Sequence, residues 1–117
     1  KKTIQSVVRK YAEQGNCIIV GRGGCVIAKD ITKSLHIRLV APVQYRVNRI
    51  MERYELSEKE AMKKVLDTEK RRENFMKFFK GSLPEDELFD AILNREKMSL
   101  DEIVGTIMAF ASIRNLI

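Results

Sequence analysis

No apolar stretch in this sequence approaches the roughly eighteen residues of a membrane span, and no basic-then-apolar leader opens it. The cytoplasm is the expected compartment, with no membrane partner. Cysteine is scarce: Cys17 and Cys25 have neither C-x-x-C spacing nor a nearby histidine, which excludes a disulfide framework and leaves no zinc site. Both are expected to be buried reduced thiols. His36 is the one histidine and reads as an exposed strand residue, so imidazole catalysis has little to draw on. There is no internal repeat and no low-complexity tract. Acidic side chains are outnumbered, 16 Asp+Glu against 22 Lys+Arg, and the net +6 suits an anionic ligand, nucleotide or nucleic acid, without choosing between them. A length of 117 residues fits one domain, 1–117, but is short for an α/β enzyme with helices on both faces of its sheet. Lys1 is not an initiator Met, and helical spacing begins at once with Ile4, Val7, Val8 and Tyr11, so a preceding segment is expected.

What is present centres on residues 16–28. Cys17, Ile18, Ile19 and Val20 form a continuous apolar run that predicts a strand buried on both faces of a parallel sheet. Gly21, Gly23 and Gly24 follow, able to adopt positive φ and bring backbone close to a ligand at the strand's carboxyl end. Arg22 is the only long side chain in that turn. Its guanidinium fork suits a phosphate or carboxylate, and the competing reading is a plain reversal with Arg22 in water.

Along the chain, residues 3–14 read as an amphipathic helix stopped by Gly15. Residues 25–29 predict a single helical turn, and residues 29–34 a loop completing a short crossover to a second parallel strand at 35–41. Pro42 suits a first helical position, and Val43–Tyr54 follows with Val43, Val47, Ile50, Met51 and Tyr54 as its buried stripe. Arg46, Arg49 and Arg53 recur at spacings of three and four, either as a solvated basic face or as a phosphate clamp. Ser57 and Glu60 form a capping box for a helix reaching Lys80. On it Asp67 and Arg71 are placed to pair, Lys and Arg alternate with Phe75, Phe78 and Phe79, and the phenylalanines read as packing residues. Residues 81–87 form a loop, and 89–93 a third strand ending at Asn94 and Arg95, where ligands collect in open α/β sheets. Ser99 and Glu102 cap a closing helix. The order predicts a parallel α/β sheet with right-handed crossovers.

Four segments in this order resemble the C-terminal two-thirds of cytidylate kinases, with the bacterial cytidylate kinase-like family the nearest match. They are Ile18-Ile19-Val20-Gly21-Arg22-Gly23-Gly24; Leu39-Val40-Ala41-Pro42 with Arg46-Val47-Asn48-Arg49-Ile50-Met51; Asp67 with Lys70-Arg71-Arg72; and Leu93-Asn94 through Met98-Ser99-Leu100-Asp101-Glu102. The resemblance implies a parallel-sheet P-loop kinase-like core with a helical lid at about residues 57–81, its N-terminal part missing. The implied reaction transfers the γ-phosphoryl group of ATP to a pyrimidine monophosphate, CMP or dCMP, with Mg²⁺. By position, Arg22 with Gly21 and Gly23 matches the turn that contacts the acceptor phosphate. Gly23 stands where cytidylate kinases proper carry an aspartate, which leaves the acceptor open. Arg46 and Arg49 match arginines before the lid; Asp67, Arg71 and Arg72 match the lid itself; Asn94 and Arg95 fall at the adenine end of the ATP site. No Gly-x-x-x-x-Gly-Lys-Ser/Thr occurs, and the glycine turn lacks the following Lys and hydroxyl that would make it one. The reading therefore expects an N-terminal segment of the same protein as partner, and expects this chain alone to be inactive. The alternatives are a basic α/β nucleic-acid-binding module and a non-catalytic regulatory domain.

Overall fold

The computed structural model describes residues 2–117. The elements run α1 (Lys2–Gln14), α2 (Gly24–Ile27), β1 (Ile37–Val40), α3 (Val43–Tyr54), α4 (Glu58–Lys80), a 3₁₀ turn (Glu85–Leu88), β2 (Ala91–Asn94) and α5 (Leu100–Ile113). Both capping boxes form as their sequences require. Ser57 Oγ accepts the Glu60 amide at 3.2 Å while Glu60 Oε1 accepts the Ser57 amide at 3.0 Å, and Ser99 and Glu102 repeat the exchange at 3.1 and 2.8 Å. These main-chain donors hold both glutamates below the usual carboxylate range.

The core lies between α3 and α4. Val47, Ala61 and Val65 are buried there, with Val43, Ile50, Met51, Leu56 and Met62 packed around them. The expected α3 stripe is therefore correct except at its end. Tyr54 is half-exposed, with Lys64 Nζ 4.4 Å from its ring centroid. Pro42 precedes the helix as its N-cap rather than occupying its first turn.

β1 and β2 pair in parallel, in register from Ile37↔Ala91 to Val40↔Asn94. At their start Asp90 accepts the His36 amide at 2.7 Å and the Arg114 guanidinium at 2.6 Å, tying the end of α5 to the sheet. His36 is half-buried, its Nε2 3.1 Å from Ser34 Oγ, so it is not the exposed strand residue expected. At the far end the Arg95 amide donates to Val40 O at 2.8 Å.

Residues 17–20 do not form the expected strand, and Ile18 and Val20 are 93% and 85% exposed. A parallel strand exists only through hydrogen bonds to a neighbour, and among the described residues β1 and β2 bond only to each other. β-Branched composition supplies propensity but no partner. The crossover expected to link residues 17–20 to β1 is consequently absent, although the short helix after the glycine turn forms as α2. Arg9 fastens α1 beside it, donating to Ile27 O at 3.1 Å and pairing with Asp30. Among the described residues no helix is long and apolar enough to cross a membrane.

The thiols also depart from expectation, since Cys17 is exposed and Cys25 half-buried. Burial first, and then the Glu85 charge, pushes the Cys25 thiol up. Under limiting iodoacetamide near neutral pH, Cys17 should therefore be alkylated well before Cys25. Peptide mass mapping checks this, and faster modification of Cys25 would contradict it.

Candidate functional site

The inward face of α4 organises the candidate site. Positions 69, 72, 76 and 79 are spaced by three and four residues and share one helix face. Met76 is buried on it, and Glu69, Arg72 and Phe79 flank it half-exposed. Each of these three side chains reaches a different element. Glu69 Oε1 lies 3.3 Å from Arg46 of α3, whose Nε also donates to Ala41 O at 3.0 Å, just beyond the carboxyl end of β1. Arg72 pairs with Glu85 of the 3₁₀ turn, and the same Glu85 oxygen lies 3.3 Å from Arg38 of β1. Phe79 sits against Gly23.

These pairs sort the residues expected from the sequence. Arg46 and Arg72 are brought to the sheet side of α4, both engaged by carboxylates. Asp67 and Arg71 are exposed, and the expected pair between them is replaced by a 3.4 Å contact from Arg71 to Thr68 Oγ1. Arg49 is exposed on α3, in a shallow depression with Ile50, Glu52 and Arg53. Asn94 and Arg95 sit at the end of β2 and stabilise their own turn: Asn94 Oδ1 accepts the Glu96 amide at 3.0 Å, and the Arg95 guanidinium donates to Met98 O at 3.0 Å.

Arg22 stands apart from these networks. Gly21, Arg22 and Gly23 have φ of 68°, 58° and 69°, three successive left-handed residues, and the Arg22 side chain is exposed. An arginine adopts this conformation at a cost that glycine does not meet. The turn is closed by Gly24 N to Gly21 O at 3.1 Å, and by Val26 and Ile27 amides donating to Gly23 O at 3.0 Å.

Glu69, Glu85 and Arg38 were not singled out by sequence reasoning. Glu85 lies in an acidic run with Asp86 and Glu87, and nothing local marks it as the one that turns inward. Burial alone would raise its carboxyl, but the hydrogen bond and charge of Arg72, with the charge of Arg38, bring it below the usual range. Stability from a depressed carboxyl is present above its unfolded value and is lost as pH falls through its folded one. Glu85→Gln should cost about 1–2 kcal/mol at neutral pH, the scale of a charge-assisted hydrogen bond. The gap from the parent should close as pH falls through the lowered folded value of Glu85. Urea denaturation across this range is the check, and an equal loss at every pH would contradict it.

Among the described residues no three His, Cys, Asp or Glu side chains come together to hold a metal ion. No carboxylate cage for Mg²⁺ is therefore found among the described residues.

The chain belongs to the cytidylate kinase-like family, whose profile matches residues 1–97. It is 28% identical over 105 residues to a cytidylate kinase of Staphylothermus marinus, covering 87% of this chain and 59% of that protein. It is 26% identical over 117 residues to the cytidylate kinase of Sulfolobus acidocaldarius, covering 99% and 64%. A uronate isomerase of Corynebacterium glutamicum is 28% identical over 92 residues, which are 78% of this chain but 18% of that one. The chain thus spans less than two thirds of the curated relatives it matches. A crystal structure of an uncharacterized protein from Eubacterium ventriosum shares the fold, with a TM-score of 0.83 at 23% identity over 92% of this chain and 62% of the other.

Proposed function

We propose that residues 1–117 are the core and lid portion of a nucleoside monophosphate kinase that, in the complete protein, moves the γ-phosphoryl group of ATP onto CMP or dCMP. The observation that carries this reading is the Gly21-Arg22-Gly23 turn. Its left-handed backbone presents an exposed guanidinium, while Arg46 and Arg72 are held by carboxylates. A planar fork with free donors is what an acceptor phosphate requires. Arg22, with Gly21 and Gly23, takes that phosphate, and Arg46 and Asp67 line the acceptor side. Arg49, Arg71 and Arg72 neutralise charge on the transferring group, since phosphoryl transfer is chiefly positioning and electrostatic stabilisation. Asn94 and Arg95 lie at the adenine end.

The cradle for the β- and γ-phosphates, and the Mg²⁺ site, belong in this reading to an N-terminal segment of the complete P-loop kinase. Two observations support that division. The chain matches 59% and 64% of the two cytidylate kinases, so each of those proteins has further chain outside the match. Leu39 and Ile92 are exposed on a two-stranded parallel sheet, a type that is ordinarily covered on both faces. A coupled ADP-release assay on the complete protein, with CMP, dCMP, UMP and AMP offered separately, tests the proposal. Acceleration by a pyrimidine monophosphate is expected, and ADP release indifferent to all four would contradict it.

A further inference from the structure

Gly23 is buried, and the room for a side chain on it is already occupied. A Cβ built there would lie 2.9 Å from both Cγ and Cδ2 of Phe79 and 3.3 Å from its Cδ1, so the root of the ring rests against the bare Cα. Phe75, one turn earlier on α4, backs that ring with centroids 5.0 Å apart and planes at 52°. The position that carries an aspartate in cytidylate kinases proper is therefore filled from across the fold by an aromatic ring. Immediately before it Arg22 holds φ 58°, a conformation an arginine keeps only where its surroundings fix it. The turn's own hydrogen bonds run through Gly21 O and Gly23 O. The one large side chain seated on Gly23 among its nearest atoms is Phe79.

We infer that Phe79 is a positioning residue for Arg22: it clamps the left-handed turn from the last part of α4 and so sets where the guanidinium meets the acceptor phosphate. The contact also makes the turn sensitive to the seating of α4, because Phe79 shares a helix face with Arg72 and Glu69, which hold the same helix to the 3₁₀ turn and α3. This rests on the proposed acceptor role of Arg22, and the experiment separates the two.

In the complete protein, steady-state kinetics with CMP and ATP would be measured for Arg22→Ala, Phe79→Ala, Phe79→Leu and the double variant Arg22→Ala/Phe79→Ala. Phe79→Ala should raise KM for CMP about three- to tenfold, within the range of coupling between contacting residues, with KM for ATP unchanged. Added to Arg22→Ala it should raise KM for CMP no further, since there is no guanidinium left to position. Where Phe79→Ala does not fold, Phe79→Leu decides: a raised KM for CMP alone supports the clamp, and an unchanged one overturns it. An equal Phe79 penalty with and without Arg22 reduces the ring to packing and also overturns it. If Arg22→Ala leaves KM for CMP unchanged, the acceptor role itself falls, whatever Phe79 does.

Discussion

Replacing Arg22 by Ala in the complete protein is expected to weaken transition-state binding of CMP by about 2–5 kcal/mol, the usual scale for losing a desolvated charge-assisted contact. In kcat/KM that is a loss of roughly thirty- to several-thousand-fold. The effect should be large because Arg22 is exposed in a turn of three left-handed residues, with bare glycine on either side. A phosphate there replaces water around the guanidinium without first breaking an ion pair. Arg46 and Arg72 would each have to leave a glutamate. Arg22→Lys should recover only part of the loss, since an ammonium keeps the charge but not the two-pronged geometry. Kinetics at saturating ATP with CMP varied would show this. A kcat/KM unchanged by Arg22→Ala would remove the turn from the acceptor site.

The second large effect concerns residues 1–117 by themselves. They should release no ADP from ATP in the presence of CMP, dCMP or UMP, whereas the complete protein should. In-line transfer needs main-chain amides, a lysine and a hydroxyl around the β- and γ-phosphates. This sequence contains no Gly-x-x-x-x-Gly-Lys-Ser/Thr. Weak binding of CMP through Arg22 and Arg49 should survive. Adding the remaining N-terminal segment, joined or as a separate chain, should restore Mg²⁺-dependent activity. Turnover by the 117 residues alone would contradict this division of labour.

The helices of this chain were legible because their signals are local. Ser57 with Glu60 and Ser99 with Glu102 each mark a helix start by a pair three residues apart, and the stripe Val43, Val47, Ile50, Met51 repeats at helical spacing, so α3, α4 and α5 lie where the pattern puts them. The strand expected at residues 17–20 failed for the opposite reason. Its apolar run is real, but a parallel strand is defined by its neighbour, and neither β1 nor β2 pairs with it. The same distinction holds in the site. Positive φ at Gly21 and Gly23 was legible from the glycines themselves, whereas Gly24 opens α2 instead and the left-handed φ of Arg22 had no local signal. The engagement of Arg72 by Glu85, 13 positions away, and of Arg46 by Glu69, 23 away, depends on how α4 seats against the sheet. Gly23 was legible as unusual but not as a seat for Phe79. That contact joins α2 to the end of α4 and leaves no periodic trace in the sequence.

The central claim, transfer of a phosphoryl group to a nucleoside monophosphate, is tested most directly by following the group itself. The complete protein would be incubated with ATP labelled in its γ-phosphate, Mg²⁺ and CMP, and the nucleotide products separated. The label should pass into CDP, with Arg22→Ala slowing its appearance. Label found only in inorganic phosphate, or left entirely in ATP, would contradict the claim.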